Sequence, residues 1–267
     1  MMNARPTAIV ILARNEEGNI GKCIQHHQRH CDVYVIDSGS TDRTREIAKS
    51  LGAKVIERTW TGFADQRNFA LDKLGCEYAW LIFVDADEIF APEVFDFVKN
   101  QDYPSGSDVI YVSQTIYLNG KALRHAPGYP IYHPRIARTS SVRFSQNQSG
   151  HGEMIDPTKN LKTHYLDIPY KHFITSHGID QWLVKHIALA RLEASQVKYV
   201  NEATTARMRL SLLIPDNILR PFVRFAYHYI VKGGFRDGRE GLVFSVMYMW
   251  FELSKWIIRT ERQCRQR

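Results

Sequence analysis

The chain of 267 residues is long for one domain and short for two, so one core with an appendage is expected. Its 44% hydrophobic and 24% charged residues are a globular composition, which excludes a disordered or fibrous chain. The net charge of +7 sits at one end: residues 207–267 hold 12 Lys and Arg against 5 Asp and Glu, while the first 206 residues balance at 23 of each. An anionic partner is therefore expected for the C-terminal quarter alone.

In chain order, TAIVILA (7–13) reads as a buried strand. Its apolar run is too short for a signal-peptide core or a membrane span, which predicts a cytoplasmic protein. A helical pattern follows from Asn15 to His30, then a strand at 32–38, a helix at 41–51, a strand at 53–59, a helix at 64–74 and a strand at 78–87. Strands separated by single helices predict βαβ units, and the runs IVIL and WLIFV suit strands covered on both faces. From Val109 short alternating segments predict antiparallel strands, with turns at Asn119-Gly120 and Pro127-Gly128. Residues 180–200 read as an amphipathic helix. The segment 242–258 approaches the length of a membrane span but carries Glu252 and Lys255, which favours a helix lying in the interface. The aromatic and basic segment 218–235 pairs with it as a two-helix foot on lipid. Packing of these helices on the catalytic core, or on a second copy in a homodimer, is the alternative. Aromatics interleaved with long aliphatic runs argue against nucleic acid.

Ligands of such sheets bind beyond the carboxyl ends of the strands. Polar residues collect at those ends: Arg14-Asn15-Glu16-Glu17, Asp37-Ser38-Gly39-Ser40 and Asp85-Ala86-Asp87-Glu88. Two carboxylates at i and i+2 past a buried strand, Asp85 and Asp87, suit one hard divalent cation shared with substrate phosphates. Asp37 stands where an acid reads a nucleoside, by analogy with dinucleotide folds. Gly39 gives the backbone freedom for close approach, and the Arg67 guanidinium suits a phosphate. The four cysteines are too few and scattered for a disulfide framework. Cys23, His26, His27, His30 and Cys31 match no common zinc spacing, so a packed helix with solvated histidines is expected there.

The stretches ILARNEEGNIGKCI, VIDSGSTDRT, GFADQRNFAL and FVDADE, in that order across residues 7–100, resemble the nucleotide-sugar-binding half of family 2 glycosyltransferases. That resemblance implies an α/β GT-A fold with a mixed central sheet, Rossmann-like in its first half, and a reaction that inverts the anomeric carbon. HGE near 151, the stretch near 185 and YIVKGGFRDGREGLVFSVMYMWFELSKW are similar to bacterial lipopolysaccharide-core glucosyltransferases and their exopolysaccharide relatives. By position, the resemblance implies Asp37 on the nucleoside, Arg67 on base or diphosphate, Asp85 on the ribose and Asp87 on Mn²⁺ or Mg²⁺, with Asp85 beside it. Ala13, Asn15, Glu17, Gly39 and Ala86 would line the same UDP-sugar site. An inverting transfer needs a base for the acceptor hydroxyl. The family's usual E-D pair is missing at the expected place, so Glu153 is assigned, with Asp156 second and His151 near metal or acceptor.

The expected organisation is a glycosyltransferase domain at 1–206, its donor half at 1–100 and acceptor half at 101–206, followed by a basic membrane-association region at 207–267. The implied hexosyltransferase would act on a glycan or glycolipid acceptor at the anionic cytoplasmic face of an inner membrane. Two rivals are weaker. A sugar nucleotidyltransferase would open with a Gly-rich loop that ARNEEGN lacks. A non-catalytic sugar-binding protein would not require Asp37, Arg67, Asp85 and Asp87 on one edge.

Overall fold

The computed structural model describes residues 7–146, 153–195 and 217–265. Its contacts divide the chain into two compact units. The first holds the chain to Ile116 together with Pro130–Asn147 and Gly152–Ser176; the second holds Tyr117–Tyr129, Gln148–His151 and His177–Arg267. The last boundary between them falls at His177.

Parallel strands build the first half: β1 (Thr7–Ala13), β2 (Asp32–Asp37), β3 (Lys54–Glu57) and β4 (Trp80–Asp85). They lie in the order β3-β2-β1-β4, each pairing in parallel with its neighbour. Strand alternation sends Ile9 and Ile11 to one face and Ala8, Val10 and Leu12 to the other. The first set packs on α1 (Ile20–His27), α2 (Thr44–Ser50) and α4 (Pro92–Lys99), and the second on α3 (Phe63–Leu74). Both faces are covered, which is why these strands read as unbroken apolar runs.

The sheet is mixed beyond β4. It continues through β8 (Tyr132–Arg138), β6 (Val109–Leu118) and β11 (Thr163–Phe173) to β5 (Glu88–Ile89), with β7 (Lys121–Ala122) on β6. Strand β8 runs antiparallel to β4, matching Ile82 with Ile136. Against β6 the register passes from Ile110–Ile136 to Tyr111–Pro134, which leaves Arg135 as the extra residue of a bulge. Strand β9 (Phe144–Gln146) pairs with β10 (Glu153–Ile155) as a separate ribbon.

Helix α1 starts at Ile20, five residues later than expected. Asn15 adopts a left-handed φ of 57°, and its side chain accepts a bond from Thr41 N at 2.8 Å, so it joins two loops and opens no helix. The histidines of this region are structural. His26 Nε2 meets the Phe90 carbonyl at 2.7 Å, His30 stacks on Phe95, and His27 bridges the Cys23 carbonyl and Phe90 N.

The second unit contains β7, α5 (Ile179–Ala194), α6 (Arg220–Ala226), a π turn (Tyr227–Val231), a 3-10 turn (Gly234–Asp237) and α7 (Arg239–Arg265). Asp237 is buried and accepts backbone bonds from Arg124, His125 and Ala126 at 2.8–2.9 Å, fixing the segment after β7 to the turn before α7. At Gly241 even a methyl group would stand 2.0 Å from the Gly234 carbonyl oxygen, so only glycine fits that crossing. The charged face of α7 turns inward: Glu252 and Lys255 are buried among α5 and α6.

Burial holds His27 neutral, lowering its pKa to about 3. A histidine whose folded pKa lies below its unfolded value supports the fold above that unfolded value and loses this support as pH falls toward the folded one. The stability gap between the wild type and His27→Gln should therefore shrink by about 2 kcal/mol between pH 7 and pH 5. Urea unfolding at the two pH values measures it, and a gap independent of pH would contradict the assignment.

Candidate active site

Three loops meet at the carboxyl ends of β1, β2 and β4. The first two are tied backbone to side chain: Asn15 N donates to Ser40 Oγ at 2.9 Å, Glu16 N to Thr44 Oγ1 at 2.7 Å, and Glu17 N to Asp42 at 3.1 Å. The Glu17 carboxylate returns the tie by accepting from Arg43 N. Asp37 ends β2 and is wholly buried, its carboxylate accepting from Gly39 N at 3.1 Å, Ser40 N at 2.9 Å and the Ser40 hydroxyl. Gly39 takes a φ of 81°, the left-handed region that glycine enters without cost. Asp37 thus shapes the loop that its neighbours present, with Arg45 Nε 3.8 Å away.

The end of β4 carries the charged centre. Asp85 Oδ2 takes a 2.9 Å bond from Arg135, and Asp85 Oδ1 lies 3.6 Å from Arg67. Arg135 also contacts Glu88, whose other oxygen accepts from Asp85 N at 3.0 Å. Arg67 is buried, its guanidinium against the rings of Phe83 and Phe144, which also pack on each other. Burial alone would raise the Asp85 pKa, but the two guanidiniums outweigh it and hold the carboxyl well below the usual range. Glu88 is pushed up to about 8 by burial and by the carboxylates of Asp85 and Asp87, against the pull of Arg135.

Asp87 points elsewhere. The β5–β11 ladder pairs His172 with Glu88, and Phe173 N donates to the Asp87 carbonyl at 3.0 Å. This brings His172 Nε2 to 3.5 Å from the Asp87 carboxylate, while His172 Nδ1 lies 3.1 Å from Gln114 Oε1. Burial would lower the His172 pKa; Asp87, then Glu88 and Asp85, raise it above the ordinary value. Tyr170 completes the floor, donating to Gln114 at 3.2 Å and lying 3.4 Å from Arg135. Nearby His133 is kept neutral, its pKa lowered to about 3 by burial and then by Arg135.

The structure therefore brings Arg67 to Asp85, while Asp87, two residues on, meets His172, with Ala86 buried between the two aspartates. Ala13 pairs with Asp37 across β1 and β2 beside the Asn15 loop. Glu153 opens β10 opposite Gln146, but its side chain, like His151, lies outside the described residues. Asp156 binds Thr158 N and Oγ1 in a local turn. Sequence reading missed Arg135, His172, Gln114 and Tyr170. Their signal is weak: PRIAR and YKHF look like ordinary strands, and only the sheet's order places them beside Asp85.

The family model for glycosyl transferase family 2 matches residues 8–155, which include the carboxyl ends of β1, β2 and β4. The chain belongs to that family. The mixed sheet and the family together agree with the GT-A class that the resemblance implied. Lipopolysaccharide core biosynthesis glycosyltransferase LpsC of Rhizobium meliloti is 34% identical over 259 residues, covering 92% of each chain. An uncharacterized glycosyltransferase of Rickettsia typhi is 40% identical over 90 residues, a match that spans 33% of this chain and 30% of that protein. Among solved structures, Staphylococcus aureus TarS 1-349 in complex with UDP-GlcNAc aligns over 98% of this chain and 92% of that one, at 14% identity and a TM-score of 0.48.

In this family 2 chain, removing Arg135 would leave the buried Glu88 without its guanidinium and the partly exposed Asp85 with Arg67 alone. Breaking a buried ion pair on one side costs about 3–5 kcal/mol. Arg135→Met is expected to lose that much stability in denaturant unfolding, and Arg135→Met combined with Glu88→Gln to recover part of it. An Arg135→Met variant as stable as wild type would remove Arg135 from this role.

Proposed function

We propose that the chain transfers a hexose, with inversion, from a UDP-sugar to a cell-envelope glycan or glycolipid. The observation that carries this reading is the charged centre itself: in a family 2 chain, Arg67 and Asp85 meet at the end of β4, and Asp87 stands two residues beyond beside His172. Arg67 and the loops of β1 and β2 would hold the nucleotide. We assign Asp85 to the ribose, because each of its oxygens already faces a guanidinium and makes a poor metal donor.

Asp87 is the better ligand for Mn²⁺ or Mg²⁺. Among the described residues no group of three or more His, Cys, Asp and Glu is arranged to enclose an ion. A single carboxylate with His172 beside it fits a cation completed by substrate phosphates and water. Such a cation would neutralise charge on the departing diphosphate. Glu153 is proposed as the base that takes the proton of the acceptor hydroxyl; the new bond forms to the anomeric carbon as the bond to UDP breaks. The acceptor's envelope character draws support from the 92% coverage of LpsC, a lipopolysaccharide core enzyme. The basic excess of 207–267 supports work at an anionic membrane surface.

The test is thermal shift with a set of nucleotide sugars, with and without Mn²⁺, followed by UDP release. A UDP-hexose with Mn²⁺ should stabilise the protein, because a ligand bound only to the native state shifts unfolding with occupancy. Asp87→Ala should lose the metal-dependent part of that shift. Glu153→Gln should keep the shift and lose transfer. A panel in which no UDP-sugar stabilises the protein would overturn the donor assignment.

A further inference from the structure

The second unit is built with its polarity reversed along α6. On a helical projection Leu219, Phe222, Val223, Ala226 and Ile230 share one face, and Arg220, Arg224 and His228 share the other. In water the arginine face would turn outward. Here it turns in. Arg220 Nε lies 3.1 Å and Arg224 3.3 Å from the Glu252 carboxylate of α7, which is 3% exposed. Lys255 lies 2.9 Å from the same carboxylate and 3.1 Å from Glu193 of α5. The apolar face is left outside, with Phe222 59%, Ile230 63% and Val231 72% exposed. Phe235 and, on α7, Leu242 and Val246 are exposed as well.

Charges gathered inside and apolar side chains displayed outside form the arrangement that an apolar surrounding selects, since a charge facing lipid is costly and pairs inward. An exposed apolar surface of this kind marks an interaction site. The charge beside it says which kind. Lys232, Arg236 and Arg239 follow Phe222, Ile230 and Val231 in sequence, and the one acid in 217–239, Asp237, is buried. A second copy seated by two-fold symmetry would bring two sets of these cations into one interface. Anionic headgroups would neutralise them, at about 1 kcal/mol for each cation near the surface.

We infer that the outer face of α6 and the π turn, led by Phe222, Ile230 and Val231, inserts into the apolar layer of an anionic bilayer, with Lys232, Arg236 and Arg239 at its headgroups. This deepens the membrane reading above and rests on it, but it moves the contact from α7 to α6. Helix α7 is long and apolar enough to cross a membrane by length and composition, yet its Glu252 and Lys255 hold the unit together from inside. Deleting residues 240–267 would therefore dismantle the unit and would not isolate the contact.

The experiment uses the full chain and vesicles of phosphatidylcholine with or without 30% phosphatidylglycerol. Wild type should sediment with the anionic vesicles and release at high salt. Phe222→Ser combined with Ile230→Ser should weaken that binding at least tenfold while leaving the melting temperature and UDP-sugar binding unchanged. Lys232→Glu combined with Arg236→Glu should abolish the preference for anionic vesicles. Unaltered sedimentation of the Ser variant would overturn the inference. So would a wild-type chain that ignores vesicles and forms a dimer which the Ser variant dissolves, since that would show a second copy on the ridge. Because vesicle binding is read without donor or acceptor, its failure leaves the transferase reading standing, and a failed sugar screen leaves the membrane contact standing.

Discussion

One guanidinium shared by two carboxylates organises the first unit. Arg135 reaches Asp85 and the buried Glu88 from the bulge of β8. The arrangement fixes the turn after β4, because Glu88 also caps the Asp85 backbone. With Asp85 and Glu88 both engaged by Arg135, Asp87 turns instead to His172 on the short β5–β11 ladder. The bulge follows the same logic: an extra residue re-aims a side chain where regular alternation would not.

The first hundred residues were open to reading because each of their elements is local. The apolar strands, the polar strand ends and the family stretches all lie within short windows, and β1 matches its expected limits. What the sequence concealed is non-local pairing. Arg135 stands fifty residues from Asp85 in a stretch that reads as a plain strand, and His172 is brought in by two ladder pairs. Local chemistry also misled at Asn15, whose capping character serves the neighbouring loop and not its own helix. The His and Cys cluster matched its structural reading through carbonyl bonds and ring stacking, although His27 is buried and not solvated.

The second unit shows the limit of pattern reading most clearly. Composition revealed that residues 218–262 mix basic and aromatic groups, but a helical projection has no inside or outside until partners are placed. Glu252, read as a charge on an interfacial face, proves to be the hub to which Arg220, Arg224 and Lys255 converge. Placing those charges inside decides that the aliphatic residues of α6 stay outside.

The central claim is that Arg135 keeps Asp85 out of metal coordination and leaves that task to Asp87. A crystal structure of the complex with UDP and Mn²⁺, with the ion located by anomalous scattering, tests it directly. The account predicts an anomalous peak within ligand distance of the Asp87 carboxylate, with Asp85 still bonded to Arg135. A peak ligated by Asp85 with the Arg135 contact broken, or one remote from both aspartates, would contradict it.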